Sequence, residues 1–319
     1  MLMTQSAFLI SDTSVSGHPG CVTVMQVIRR ELAARNVSVA GTWPVALDRK
    51  WGLDFLPSLA RSSVVVVNGE GTIHHTARHW AGRQLIKIAR RLKQRRATRV
   101  FLINATLEEV APEDEIYLRD FDHVFVRESR SLQYVQSLGI AGATLVPDLS
   151  LLSRYESPVT RSGQNVVTDS TRKQISAMLA AYADRAGLPF QHMQPSRPVA
   201  YLRWAIGSHR LAANARDYYR LLAGSSGVVT GRFHAALFCL HARTPFLAVA
   251  SNTSKIQRAL LDAMGRTDRM VTTEALDGVR LDIPPFGVAE LASIDAYISA
   301  SESGARQMFD LIAQSANEG

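Results

Sequence analysis

Residues 227–255, "GVVTGRFHAALFCLHARTPFLAVASNTSK", decide the fold. GVVT at 227–230 and FLAVA at 246–250 are short apolar, β-branched runs, and between them HAALFCLHAR at 234–243 has the length and composition of a buried helix. Strand, helix, strand at this spacing is a βαβ unit. Its two strands lie parallel, and its ligand-facing residues sit where a strand turns into the next helix. Arg232 and His234 occupy such a corner. Inside one helix they would point about 200° apart. They converge if Gly231 turns the chain, leaving Arg232 in the loop and His234 in the first helical turn.

The same alternation runs outward in both directions. Strands are expected at 7–11, 63–67, 100–104 and 123–127 with helices near 21–35, 77–95 and 128–138, and a second cycle of strands at 165–168, 190–193, 227–230 and 246–250 with helices near 171–185, 210–223, 234–243 and 254–264. The polar stretch SRYESPVTRSGQ at 153–164, with Pro158 and Gly163, reads as the linker between them. A chain of 319 residues is about twice the usual domain length of roughly 150. The expected architecture is therefore α/β, with an N-terminal Rossmann-like domain over 1–155 and a C-terminal one over 156–319 that ends in one or two closing helices from about 289. No repeat of 20–50 residues interrupts this pattern.

Composition narrows the partners. The net charge of +8 favours anionic ligands. The basic run "RQLIKIARRLKQRRATR" at 83–99 fits an amphipathic helix with a solvated cationic face, the functional alternative being peripheral docking on an anionic membrane surface. No nucleic-acid motif or aromatic stacking stripe accompanies the charge, so nucleic acid is not an expected partner. Cys21 and Cys239 alone support neither a disulfide framework nor a cysteine-based zinc site, and the start MLMTQSAFLISDTS lacks the charge pattern of a signal peptide. These features predict a cytoplasmic protein.

The polar residues at the strand-to-helix corners are the site candidates. Gly17, His18, Pro19 and Gly20 form a tight turn into a helix, where backbone N–H groups approach an anion and His18 reaches a substrate. The dinucleotide fingerprint G-x-G-x-x-G is absent there. Glu70, between Gly69 and Gly71 after the apolar strand SVVVV, reads as a general base or a ligand for sugar hydroxyls. Arg127 ends a strand and reads either as a capping residue or as a fork for phosphate or carboxylate, with Ser129 the expected cap of the helix that follows. Asp148 follows a short strand and reads either as a hinge residue or as ligand-facing. Ser251, Asn252 or Thr253 caps a helix whose first turn holds Lys255, a cation that opposes the helix dipole unless an anion binds there. His74, His75 and His79 tempt a metal reading, but no carboxylate or cysteine completes a ligand set, and no metal is expected.

Together, "VVVVNGEGTIHH", "FVRESRSLQYVQSLG" with "VPDLS", and "VVTGRFHAALFCLHARTPFLAVASNTSKI" resemble the polysaccharide pyruvyl transferase family, most specifically in the Arg-x-His-Ala segment followed by Pro-Phe and a lysine. Where many members carry an Asn/Gly/Asp-rich first turn and a triple glycine in the second, this chain has Gly-His-Pro-Gly and Gly-Glu-Gly. The resemblance implies a fold similar to GT-B glycosyltransferases, two Rossmann-like domains facing a cleft. It also implies transfer of a pyruvyl group from phosphoenolpyruvate, as co-substrate, to two hydroxyls of a sugar. The acceptor would be a cell-surface polysaccharide, an exopolysaccharide or a lipid- or nucleotide-linked precursor made at the inner face of the cell envelope. On that chemistry Arg232, Lys255, Arg127 and Asn252 hold the donor and His234 supplies a proton. Glu70 or Asp148 accepts the proton of the attacking hydroxyl, and His18, Gly69 and Gly71 line the acceptor side. No obligatory metal or cofactor is required. The main rival is a GT-B glycosyltransferase using a nucleotide-activated sugar such as a CMP-linked keto-sugar acid. A non-catalytic carbohydrate- or phosphate-binding protein is the third reading.

Overall fold

The computed structural model describes residues 5–45, 59, 61–94, 98–157, 160–161, 163–193, 211–250, 253–278 and 280–318. The chain forms two compact units. The first comprises Met1–Val15, Met25–Leu149 and Ala300–Gly319, and the second Ser16–Val24 and Ser150–Ser299.

The first unit is built on β1 (Ser6–Asp12), β2 (Ser38–Pro44), β3 (Val64–Asn68), β4 (Arg99–Ala105), β5 (His123–Val126) and β6 (Ala143–Leu145). They pair in parallel in the order β2-β1-β3-β4-β5-β6. All five residues of β3, VVVVN, are buried, as a central strand of a parallel sheet covered on both faces requires. Its connections are α1 (Pro19–Ala33), α2 (Trp80–Lys93) and α3 (Ser129–Ser137). Leu85, Ile86, Ile88, Ala89 and Leu92 of α2 share one core with Val65, Val67 and Leu102. Strand β2 went unread in the sequence because it is an edge strand. Gly41 and Pro44 interrupt it and most of its residues are only half-buried, so it shows neither a continuous apolar run nor a clean alternation.

The second unit has β7 (Asn165–Ser170), β8 (Phe190–Gln191), β9 (Gly227–Gly231), β10 (Phe246–Val249) and β11 (Met270–Val271), again all parallel, in the order β11-β10-β9-β7-β8. Its helices are α4 (Lys173–Ala186), α5 (Leu211–Ala223), α6 (Phe233–Ala242) and α7 (Lys255–Met264). Every residue of α6 from Phe233 to Leu240 is buried. That explains why the sequence there is apolar on all sides rather than striped: a helix packed all round has no solvent face to mark. The tail is one helix, α8 (Val288–Glu318). Both α1 and α8 contribute residues to each unit: α1 up to Val24 belongs to the second unit and the rest to the first, and α8 changes units at Ser299/Ala300.

Three local expectations change, the first being that α7 is preceded by Ser254 as its N-cap residue rather than by Ser251, Asn252 or Thr253. The cap of α3 is Glu128 rather than Ser129, its carboxylate accepting from the Ser131 amide at 3.0 Å. The basic helix α2 is not a bare cationic face. A short helical segment, Pro112–Asp120, and the turn after it present acids to it. Arg83 reaches Glu113 at 2.6 Å and Asp114 at 2.9 Å, Lys87 reaches Asp114 at 3.2 Å, Arg90 reaches Asp120 at 2.8 Å, and Lys93 reaches Asp122 at 3.0 Å. Lys87 and Arg90 also lie over the Tyr117 ring, 4.9 and 4.4 Å from its centroid. Arg83, Lys87, Arg90 and Lys93 are thus paired within the unit, and among the described residues no helix is long and apolar enough to cross a membrane.

Asp114 is the anchor of this ladder, with a fully buried side chain between two cations. Arg83 and Lys87 are partly exposed and can rehydrate, so Asp114→Ala is expected to cost about 1–3 kcal/mol, read in urea unfolding as a lower midpoint with an unchanged m-value.

Candidate active site

In the second unit the corner after β9 has the geometry that the spacing predicts. Arg232 is the extended residue before α6 (φ −110°, ψ 127°), and His234 lies in the first turn of that helix. Gly231 is required by contact, since a Cβ there would fall 2.6 Å from Ser170 Cβ on the neighbouring strand β7. Arg232 is 6% exposed, and its cost is met by Asp169 at the end of β7. The carboxylate takes the guanidinium in two parallel bonds, from Nε at 2.9 Å and from Nη2. This bidentate fork fixes the plane of the guanidinium. Sequence reading missed Asp169, although its signal matches that of Glu70: a carboxylate at the carboxyl end of an otherwise apolar strand, NVVTDS.

The turn before α1 joins this group. His18 accepts from the Cys21 amide at Nδ1 (3.4 Å), capping α1, whose first residue is Pro19. The rings of His18 and His234 meet edge-on, with centroids 5.1 Å apart. Gly20 makes that possible, because a Cβ at Gly20 would lie 2.0 Å from His234 Cγ. Burial holds the His18 imidazole well below its ordinary pKa, and the nearby His234, Arg232 and Lys255 lower it further. His18 is therefore neutral near neutral pH. Lys255 is the first residue of α7, its ammonium 5.8 Å from the Phe233 ring centroid. His18, Arg232, His234 and Lys255 thus form one cationic and imidazole cluster, joined by helix N-termini. The sequence placed His18 with the acceptor residues of the N-terminal half, whereas the fold places it beside the proposed donor cations. Asn252 lies outside the described residues.

In the first unit the candidates fall into two groups. Glu70 sits on the turn after β3 with φ 32°, 3% exposed, its carboxylate accepting from Asn68 Nδ2 at 3.3 Å. Gly69 packs against β4, where a Cβ would fall 2.6 Å from Ala105 Cβ, and Gly71 follows Glu70 in the same turn. Arg127 and Asp148 hold each other. The guanidinium donates to Asp148 at 2.7 Å and to the Thr106 hydroxyl at 2.6 Å, with both charged side chains 1% exposed. Leu149, beside Asp148, donates its amide to Asn104 Oδ1 at 3.1 Å. This pair braces the carboxyl edge of the sheet from inside.

Three ligand atoms of His18, Cys21 and His234 lie within 4.8 Å of one another, a spacing a transition metal could use. The donor set does not favour one, however, because among the described residues no carboxylate joins it and the Arg232 and Lys255 cations lie close enough to act on His18. The other histidines are engaged elsewhere. His79 caps α2 and stacks on His74 with centroids 4.6 Å apart, and His75 pairs with Glu109 at 2.5 Å.

Two all-parallel sheets with titratable groups at their carboxyl edges form an α/β architecture similar to that of GT-B glycosyltransferases. Among solved structures the chain is similar to a functionally uncharacterized protein from Klebsiella pneumoniae subsp. pneumoniae NTUH-K2044 (14% identity, 84% of this chain and 92% of that one, TM-score 0.53). It is also similar to a UDP-glucosyltransferase from Polygonum tinctorium capable of glucosylating indoxyl (10% identity, 98% of each chain, TM-score 0.50). At these identities the likeness is one of fold. No curated protein sequence matches the chain. Residues 25–253 match the polysaccharide pyruvyl transferase family, and the chain belongs to it. It is a transferase.

Two outcomes follow from this geometry. Gly20→Ala is expected to displace the His234 ring and lower activity by about 10-fold or more, since a displacement near 1 Å in a positioned group has effects of that order. Steady-state kinetics beside an unfolding curve will separate lost geometry from lost fold. His18, with its folded pKa depressed, binds a proton more readily in the unfolded chain. Stability is thus complete above the unfolded value near 6.5 and falls as pH drops below it, by at most about 1.4 kcal/mol per pH unit for this one group. His18→Gln should flatten the difference between urea unfolding at pH 7.5 and pH 5.5, and an unchanged slope would show that His18 titrates freely in the folded protein.

Proposed function

We propose that this protein transfers the pyruvyl group of phosphoenolpyruvate to two hydroxyls of one sugar in a cell-surface polysaccharide or its precursor, forming a cyclic ketal and releasing inorganic phosphate. Family membership supports the reaction class. The observation that carries the donor assignment is the grouping of Arg232, Lys255, His18 and His234 at one edge of the second unit's sheet. Phosphoenolpyruvate offers a phosphate and a carboxylate, and two cations at helix N-termini suit that pair of anions.

The chemistry balances with these groups. The methylene carbon of the donor takes a proton while one sugar hydroxyl adds to the neighbouring carbon. A second hydroxyl then displaces the phosphate at that carbon. One of the two hydroxyl protons is the net source of the new methyl hydrogen, and the other leaves with hydrogen phosphate. His234 is assigned the proton delivery. His18, neutral at neutral pH, is assigned a hydrogen bond to the donor, and Arg232 and Lys255 neutralise the leaving phosphate. Glu70 is the preferred base for the hydroxyl over Asp148, whose carboxylate is already committed to Arg127 in the interior. Donor binding is assigned to Arg232 and Lys255 rather than to Arg127 because Arg232, with its Nε and Nη2 on Asp169 and Nη1 left over, stands beside Lys255, His18 and His234, whereas Arg127 is held by Asp148 and Thr106 in the first unit.

Incubation with phosphoenolpyruvate and glycan acceptors should release inorganic phosphate only when both are present. Release of a nucleotide from a nucleotide-activated sugar would establish the glycosyltransferase reading instead. Lys255 is half-buried, so Lys255→Ala should fold normally yet abolish thermal stabilisation by phosphoenolpyruvate and raise its KM by about 10-fold or more. Glu70→Gln should leave that stabilisation intact while lowering kcat by about 10²–10⁴-fold, the range for loss of a general base.

A further inference from the structure

The carboxyl edge of the first unit's sheet carries a second set of polar groups that the mechanism does not use. Pairing of β1 with β2 passes from Ile10↔Trp43 to Asp12↔Pro44, so Ser11 is an extra residue, and its φ is 64°. Pairing of β4 with β5 skips in the same way between Leu102 and Ala105, and Asn104 there has φ 55°. Strand β3 lies between β1 and β4 and ends at Asn68, level with Ser11 on one side and Ile103 on the other. Two bulges thus flank one strand end, and bulges of this kind re-aim side chains.

Ser11, Asn68 and Asn104 are 3%, 1% and 1% exposed. Ser11 Oγ, Asn68 Oδ1 and Asn104 Nδ2 have no hydrogen-bond partner among the described residues. The orientation of both amides is fixed by their other ends. Asn104 Oδ1 accepts from the Leu149 amide, which makes Nδ2 the remaining donor. Asn68 Nδ2 faces the acceptors Thr13 Oγ1 at 3.2 Å, Glu70 Oε2 at 3.3 Å and the Ser11 carbonyl at 3.4 Å, which leaves Oδ1 as an acceptor. Buried polar atoms are rarely left without partners, and three on adjacent strands at one level call for a ligand with complementary groups.

We propose that Ser11, Asn68 and Asn104 form a subsite that reads the hydroxyls of a neutral sugar ring beside Glu70. Asn104 Nδ2 donates to one hydroxyl oxygen, Asn68 Oδ1 accepts from a hydroxyl, and Ser11 Oγ does either. An amide donor, an amide acceptor and a hydroxyl next to a carboxylate match a polyol, which both donates and accepts, and disfavour an anion. This deepens the reading of the acceptor as a sugar and rests on it for the identity of the reaction, but not for the binding of the sugar.

The test uses two glycine variants. Ser11→Gly and Asn104→Gly remove the polar groups where glycine adopts the left-handed backbone without strain, so neither substitution forces a change of chain path. The probe is a panel of methyl glycosides with gluco, galacto and manno configuration and their 2-acetamido forms, with binding to the full chain read by saturation-transfer NMR and calorimetry. The expected result is that the wild type binds at least one glycoside, that either variant weakens it at least tenfold, and that thermal stabilisation by phosphoenolpyruvate is unchanged in both. Wild-type affinity retained in both variants would overturn the subsite and leave the three atoms as partners of buried water only. Absence of glycoside binding by the folded wild type, with and without phosphoenolpyruvate, would overturn it as well. Should one variant unfold, the other decides. Glycoside binding weakened as expected, together with nucleotide rather than phosphate release in the transfer assay, would sustain the subsite while the pyruvyl-donor reading falls.

Discussion

A guanidinium that is almost fully buried must be paired, and in the second unit the pairing of Arg232 with Asp169 settles much of what surrounds it. The two residues stand at the ends of neighbouring strands, so the ion pair ties β9 to β7 at the edge where the helices begin. Removing one partner of such a pair strands the other charge, at a cost of about 3–5 kcal/mol. With Nε and Nη2 committed to Asp169, the guanidinium has one orientation, and the next residues of α6 inherit it. His234 is then set against His18 at a distance that only a glycine at position 20 permits. The grouping is thus a consequence of close backbone approach at Gly231 and Gly20, and each glycine marks a place where a side chain would push these neighbours apart.

The first unit solves a different problem. Its charged pair, Arg127 with Asp148, is withdrawn into the interior, where with Thr106 it supports the turn that carries Glu70. The backbone at Ser11, Glu70 and Asn104 is held at positive φ within or just beyond three adjacent strands, each departure costing about 1–3 kcal/mol for ordinary residues and less for asparagine. The second unit therefore sets a buried ion pair beside two imidazoles, and the first sets polar backbone at positive φ around a carboxylate. The same α/β scheme supports both because strand ends in parallel sheets all lead into helix starts at one edge.

Much of the fold was legible because the strands that matter most are central. VVVVN, RVFLINA and GVVTG are buried on both faces and read as continuous apolar runs, while β2, β8 and β11 at or near sheet edges are short or interrupted and carry little signal. Of the site, Arg232, His234, Glu70 and Lys255 stood out as polar intrusions at strand-to-helix corners. Asp169 gave the same signal and was passed over, and Ser11, Asn68 and Asn104 gave none, since serine and asparagine after a strand are ordinary turn residues. The pairing of the basic helix was not legible for a physical reason: its counter-charges at Glu113, Asp114, Asp120 and Asp122 lie about thirty residues further on, beyond any helical spacing.

The sequence by itself determined the alternation of strands and helices, the corner at Arg232 and His234, and the family, because each is a local pattern of residue types along the chain. Which corners share a site was decided only by tertiary structure. Strand order is not sequence order, so β7 and β9 become neighbours and bring Asp169 to Arg232, and the first turns of α1 join the second unit rather than the first, carrying His18 to His234. Partnership between distant residues depends on which backbone can approach which, and that is set by packing around Gly20 and Gly231 rather than by any spacing in the chain.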